Sequence, residues 1–321
     1  MQGGEHHISF SLHNPEITPK DSIYQGGQIL KKSICLIVAS MMLFSFLLIA
    51  PVSLATEMAV VDRTSPMKLD GMGAYSYEPN SVKVLGKPVK PPAPVADKWA
   101  LIIGVADYEG TGSDLWHPDE DAKEMYSELT TQQGYAKANV KLITNRGATA
   151  SAILAGIDWL VSNEKATSEV VFFYSGHGSR VPDSDNWDSD VESDGHDEMI
   201  VTYDFYGLSD GLLKQRFAAI ESAKFALMFG SCHSGGMFDD NDDLQKSGRV
   251  IASACKADQY GWDYLSLGNT LWGYYFVDDA LLDNRAGSIE AAHAYACSRV
   301  VAMQPDSQPQ ISDGIAGDFV I

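Results

Sequence analysis

The chain has 321 residues, 45% of them hydrophobic and 10% aromatic, enough for one substantial core plus appendages. Forty-three acidic residues against 23 basic ones leave a formal charge of −20. That balance excludes nucleic acid as a partner, because phosphate binding needs a basic surface; a basic substrate, bound cations or a solvated surface all stay compatible with it.

Residues 1–29 read as an N-terminal extension without a sustained pattern. Lys31 and Lys32 then precede ICLIVASMMLFSFLLIA, and small residues follow at Ser53 and Ala55. A basic flank, an apolar run and a small-residue site make residues 30–55 an export signal cut after Ala55. The alternative is a retained anchor, since residues 33–50 approach the length of a bilayer span. Either way the remainder is expected outside the cytoplasm, secreted or membrane-anchored. Residues 56–97, with GKPVKPPAPVADK, read as a linker or pro-segment.

From Trp99 the pattern alternates. ALIIGVADY, NVKLIT, EVVFFYSG, EMIVTYDF, KFALMFGSC and GRVIASAC read as short strands. DEDAKEMYSEL, TASAILAGIDWLV and SDGLLKQRFAAI read as helices, the second capped by Thr149 or Ser151. Two further helices fall near 268–283 and 288–302, the latter N-capped by Ser288, and a last strand lies at the C-terminal end. Strands alternating with helices imply an α/β domain over 98–321, its mostly parallel central sheet flanked by helices on both faces. In such sheets chemistry gathers at the carboxyl ends of the strands.

Two strand ends carry small-residue turns around a nucleophile and a base: SGHG, with His177, and SCHSGG, with Cys232. A thiolate is a strong nucleophile, and a neighbouring imidazole supplies the base or stabilises the ion pair. Flanking glycines let the backbone approach a substrate closely, as an oxyanion site of main-chain N–H groups demands. The expected donors are the N–H groups of Gly178 and Cys232. The other cysteines, Cys35, Cys255 and Cys297, show neither zinc-ligand spacing nor an even disulfide framework once Cys35 is set aside.

These motifs, with WALIIGVADY, DEDA and DGHDEMIVTYD, make residues 98–321 resemble the caspase and metacaspase-like cysteine peptidases. The resemblance implies a caspase-type fold, a His177–Cys232 dyad and peptide hydrolysis through a thioester. Metacaspases cut after Arg or Lys and often need calcium. They place a pocket Asp two residues before the nucleophile, where this chain has Gly230; Asp121 matches the other pocket acid, and Asp263 is the candidate for the missing charge.

The stretch DSDNWDSDVESDGHDE, residues 183–198, holds eight carboxylates and no Lys or Arg. Such density repels itself, and calcium, which takes six to eight oxygen ligands, is a natural remedy. The family resemblance implies Asp197, Asp210 and Asp239 as calcium ligands, with Gly211 replacing a further Asp. Asp183, Asp185, Asp188 and Asp190 are candidates for a separate site. The leading expectation is an exported cysteine endopeptidase acting on peptide or protein substrates, with self-cleavage after Lys87, Lys90 or Lys98. The alternative is a non-catalytic caspase-like module that binds calcium or peptides at the cell surface.

Overall fold

The structure, a computed structural model, describes residues 7–9, 66–69, 97–110, 112–183, 192, 194–239 and 244–321. The apolar signal or anchor segment, most of the 56–97 linker including Lys87 and Lys90, and Asp185, Asp188 and Asp190 lie outside the described residues.

Two short strands, β1 (His7–Ser9) and β2 (Met67–Lys68), precede the main domain. The domain then runs β3 (Lys98–Gly104), α1 (Pro118–Thr131), β4 (Val140–Thr144), α2 (Ala150–Asn163), β5 (Glu169–Ser175), β6 (Gly178–Pro182), β7 (His196–Val201), β8 (Tyr206–Ser209) and α3 (Asp210–Phe217). It continues through β9 (Phe225–Gly230), β10 (Arg249–Ser253), β11 (Trp262–Tyr264), β12 (Asn269–Thr270), α4 (Leu271–Gly273), a π-helical stretch Tyr274–Leu282, α5 (Ile289–Met303) and β13 (Gln310–Asp313).

Six strands form the central sheet in the order β13-β10-β9-β5-β3-β4. All neighbours pair in parallel except β13, which runs antiparallel to β10. Alternation along each strand divides the core into two layers. Leu101, Ile103, Phe172, Tyr174, Leu227 and Phe229 pack with Ile153, Ile157 and Leu160 of α2 and Leu212 and Phe217 of α3. Ala100, Ile102, Val171, Phe173, Ala226 and Met228 pack with Met125 and Leu129 of α1, with Trp272 and Phe276, and with Ala292 and Ala296 of α5. The strands read as near-continuous apolar runs because both faces are covered.

The helix starts follow from their caps. Thr149, Ser209 and Ser288 accept hydrogen bonds from the N–H groups of Ala152, Leu212 and Ala291 at 3.3, 3.1 and 3.1 Å. Of the two cap candidates for α2, Thr149 takes the role.

The expected EMIVTYDF strand does not join the central sheet. Its residues form β7 in a separate antiparallel sheet ordered β2-β8-β7-β6. The chain leaves the β5 end at the glycines of SGHG, turns, and pairs Gly178 through Pro182 with Ile200 back to His196. β11 and β12 make a hairpin on which β1 adds as a third strand.

Candidate active site

β5 and β9 are parallel neighbours, with Ser175 paired to Gly230 at their carboxyl ends. Two residues further along each strand stand His177 and Cys232. Equal offsets from one register pair bring His177 and Cys232 to adjacent positions at the carboxyl edge of the sheet. Both are buried, at 5% and 1% exposure.

His177 Nε2 lies 2.7 Å from the main-chain oxygen of Ser113. A carbonyl can only accept, so Nε2 carries a proton, and in the neutral form of the ring the lone pair is on Nδ1. That orientation suits His177 to accept a proton through Nδ1. Val201 N donates to His177 O at 3.0 Å, making that pair hydrogen-bonded, and the next pair, Gly178–Ile200, is the non-bonded one of an antiparallel ladder. The Gly178 N–H is therefore directed away from β7.

Burial, with a smaller contribution from Cys255, pushes the Cys232 thiol well above its ordinary range. The Sγ donates weakly to Gly261 O at 3.8 Å. A resting thiol of this kind needs a base to become a nucleophile. His233, next in the chain, has φ +58°, a left-handed conformation unusual for a non-glycine residue. It is held there by its N–H donating to Gln259 O at 2.9 Å and by Nδ1, 2.6 Å from Ala257 O. The turn carries the chain away sharply behind Cys232.

The two pocket candidates sit below the same strand ends. Asp121, fully buried, accepts from the hydroxyls of Ser175 and Thr270, both at 2.7 Å, and from Thr270 N and Asn269 Nδ2, both at 3.1 Å. Burial nevertheless raises its carboxyl to about 7. Asp263 is also fully buried; Oδ2 accepts from the N–H groups of Trp116 and His117, while Oδ1 has no hydrogen-bond partner among the described residues. Burial first, and the Asp121 charge among other causes, push Asp263 well above the carboxylate range. The two acids thus share one electrostatic neighbourhood. At Gly230 a Cβ would stand 3.2 Å from Ser175 Oγ and 3.3 Å from the Trp272 ring, so Trp272 walls the side on which a pocket acid is expected.

The acidic positions divide. Ligand oxygens of Asp197, Asp210 and Glu192, all buried, lie within 4.8 Å of one another. Three buried carboxylates at that spacing fit a hard cation and no softer donor set. Asp239 is not in this group. Asp239, after the Gly236–Phe238 turn, is among the charges that raise Glu198, as is Glu192 of the Asp197 group. Burial is the main reason the Glu198 carboxyl rises to about 10.

Cys232, Cys255 and Cys297 are all free thiols, consistent with the lack of an even disulfide framework. Asp183 is described, and its Oδ2 accepts from Glu192 N at 3.3 Å, which ties it to a member of the Asp197 group. Lys98 opens β3, opposite Glu169 in the ladder, and its Nζ lies 2.7 Å from the Glu169 carboxylate. Cleavage after Lys98 would cut the central sheet. Ser113 and Glu192 escaped sequence reasoning: Ser113 contributes only its carbonyl, and Glu192 is one acid among eight.

Comparison with known proteins agrees with this architecture. The caspase-domain family matches residues 97–318. Metacaspase-1 of Cryptococcus neoformans var. neoformans is 27% identical over 220 residues, covering 61% of this chain and 46% of that protein. Metacaspase-1 of Candida albicans is 31% identical over 154 residues, covering 44% of this chain and 34% of the relative. The chain therefore spans less than half the length of these relatives. The crystal structure of protein GSU0716 from Geobacter sulfurreducens superposes with a TM-score of 0.55 at 21% identity, covering 69% of this chain and 95% of the other, a likeness of fold. The α/β sheet, the paired strand ends and the family match over most of the chain lead to one assignment: the chain belongs to the caspase-domain family of cysteine peptidases.

Proposed function

We propose that the chain is a cysteine endopeptidase in which Cys232 is the nucleophile and His177 the base. The observation that carries this is the register that sets His177 and Cys232 at equal offsets on neighbouring strand ends, with His177 Nε2–H donating to Ser113 O. In the reaction, Nδ1 takes the Cys232 proton as Sγ attacks the scissile carbonyl, and the N–H groups of Gly178 and Cys232 receive the oxyanion. The imidazolium then protonates the leaving amine, and a thioester remains. Water, deprotonated by the same nitrogen, releases the acid and restores the thiol.

The substrate reading is a basic residue before the scissile bond. Asp263 Oδ1 and the nearby Asp121 carboxylate supply the charge that Gly230 does not. Glu192, Asp197 and Asp210 would hold calcium; the ion would neutralise their mutual repulsion and order the start of β7, whose far end donates from Val201 N to His177 O. The apolar stretch at 33–50 supports export of the domain, with or without retention as an anchor.

The test is the full-length chain on a mixed peptide library, with calcium and with chelator, beside Cys232→Ala and His177→Ala. Cleavage after Arg or Lys that both variants lose is the expected result. Cysteine-dependent cleavage elsewhere would discard the acidic pocket. No cleavage from folded protein that binds calcium would support a non-catalytic binding module.

A further inference from the structure

We propose that Tyr108 and Tyr174 are positioning residues for the peptidase reaction, clamping the main chain of His177 between their hydroxyl groups. The inference rests on His177 being the base, as proposed above.

His177 stands in a glycine-bounded turn, Gly176–His177–Gly178, where the flanking residues offer no side chains to hold it. The two tyrosines supply what the glycines cannot. The His177 N–H donates to Tyr108 Oη at 2.7 Å. Tyr174 Oη lies 2.7 Å from both His177 O and Val201 O, and its one proton is shared between these carbonyls. Val201 N approaches Tyr174 Oη at 3.3 Å, and Tyr108 Oη lies 3.5 Å from Val201 O, so the two phenols meet at that residue. Both main-chain groups of His177 are thus fixed by one connected pair of hydroxyls. The Tyr108 ring also lies against the imidazole, with centroids 4.7 Å apart at 47°.

Gly176 is part of the device. A Cβ there would stand 2.5 Å from Tyr174 Oη and 2.9 Å from Tyr108 Oη, so the hydroxyls occupy the space a side chain would need. Both tyrosines are buried, and burial raises both phenols above their ordinary range. They stay neutral through the working pH range and act by geometry, not by proton transfer. The clamp spans three elements: Tyr108 follows β3, Tyr174 lies on β5, and Val201 ends β7. It ties the imidazole to the central sheet and to the small sheet together, fixing the distance across which Nδ1 must accept a proton. Errors of about 1 Å in such placement cost on the order of 100-fold in rate.

Tyr108→Phe and Tyr174→Phe keep the rings and the packing and remove only the hydroxyls. Two readouts apply: kcat and KM on a cleaved peptide against pH, and the pH-dependence of Cys232 alkylation by iodoacetamide, which needs no substrate. The expected result for each variant is a kcat about 10- to 100-fold lower with KM within about twofold. The acid limb of the alkylation profile should also move, because an unclamped imidazole leaves Ser113 O and changes basicity. A clamp of merely structural value would lower the melting temperature and leave that limb in place, which would overturn the proposal. Phe variants with wild-type kcat and profile, beside an inactive His177→Ala, would overturn the clamp and leave the dyad standing. An active His177→Ala would overturn the dyad reading and the clamp with it.

Discussion

The α-carbon of Gly178 faces the main-chain carbonyl of Cys232 so closely that a Cβ at Gly178 would overlap that oxygen, with Ser231 Oγ 3.0 Å from the same point. The turns after β5 and β9 touch through backbone, with no side chain between them. This contact explains the glycine after the histidine: it lets the His177 and Cys232 turns close on one another.

Gly178→Ala is expected to push the two turns apart. The obstructing atom is main chain and cannot rotate away, so stability should fall by about 1–3 kcal/mol. Activity should fall much further, because the proposed Gly178 oxyanion donor moves with the turn; losing one such donor costs roughly 100- to 1,000-fold in kcat. Thermal denaturation and peptide cleavage measured on one preparation separate the two effects. Wild-type turnover by a folded Gly178→Ala protein would remove Gly178 from the proposed oxyanion site.

The pocket predicts a pH-dependence specific to charge. Asp121 rises to about 7 through burial, so its carboxylate forms only as pH passes that value. For substrates with Arg or Lys before the scissile bond, kcat/KM should climb through about pH 7; an uncharged residue there should not show this component. Asp263→Asn keeps an oxygen for the Trp116 and His117 N–H groups while removing the carboxyl that a basic side chain would ionise. It should lower kcat/KM for the basic substrate about 10- to 100-fold and leave neutral ones nearly unchanged. Equal losses for both would mean that Asp263 only supports the loop at Trp116.

Much of this arrangement was legible before the structure. The β5 and β9 runs are apolar and end at glycine-flanked His177 and Cys232, so an α/β reading already placed both at strand ends. Their equal offsets come from the pairing register, which no local pattern encodes. β7 was seen as a strand but assigned to the wrong sheet, since His196–Val201 is buried through most of its length like a central strand. The structure groups Glu192 with Asp197 and Asp210, a selection among many acids that no residue identity encodes. Ser113 was invisible because main-chain carbonyls leave no trace in residue identity.

The acidic group makes a prediction about calcium that distinguishes its members. Glu192 belongs to the close carboxylate set with Asp197 and Asp210, whereas Asp239 does not. Calcium affinity, followed by calorimetry on the Cys232→Ala protein, should fall about tenfold or more for Glu192→Gln and Asp210→Asn. Asp239→Asn should fall less. The reverse order would return Asp239 to the site and remove Glu192.

Buried titratable groups also fix the slope of stability with pH. Burial raises Asp121 and Glu128 to about 7, Glu124 to about 8 and Glu198 to about 10. Unfolded carboxyls titrate near 4, so between about 4 and these values the folded state binds more protons than the unfolded state. Their contribution is fully present below about pH 4 and is lost as pH rises through the folded values. His233 and His293, held neutral by burial at about 4, act oppositely. Against an unfolded value near 6.5, they make stability rise with pH up to about 6.5 and add nothing above it. The two sets compete in the acid range, and only the carboxyls act between about pH 6.5 and 8. In chelator, the melting temperature should therefore fall across that interval. Glu128 accepts from Gln132 Nε2 at 2.7 Å and Gln133 Nε2 at 2.6 Å, and Glu128→Gln should flatten the descent near pH 7. Scanning calorimetry from pH 5 to 9 reads the slope directly. A melting temperature that rises from pH 6.5 to 8 would mean that these carboxyls are ionised in the native protein, held by partners or by a cation that survives chelation.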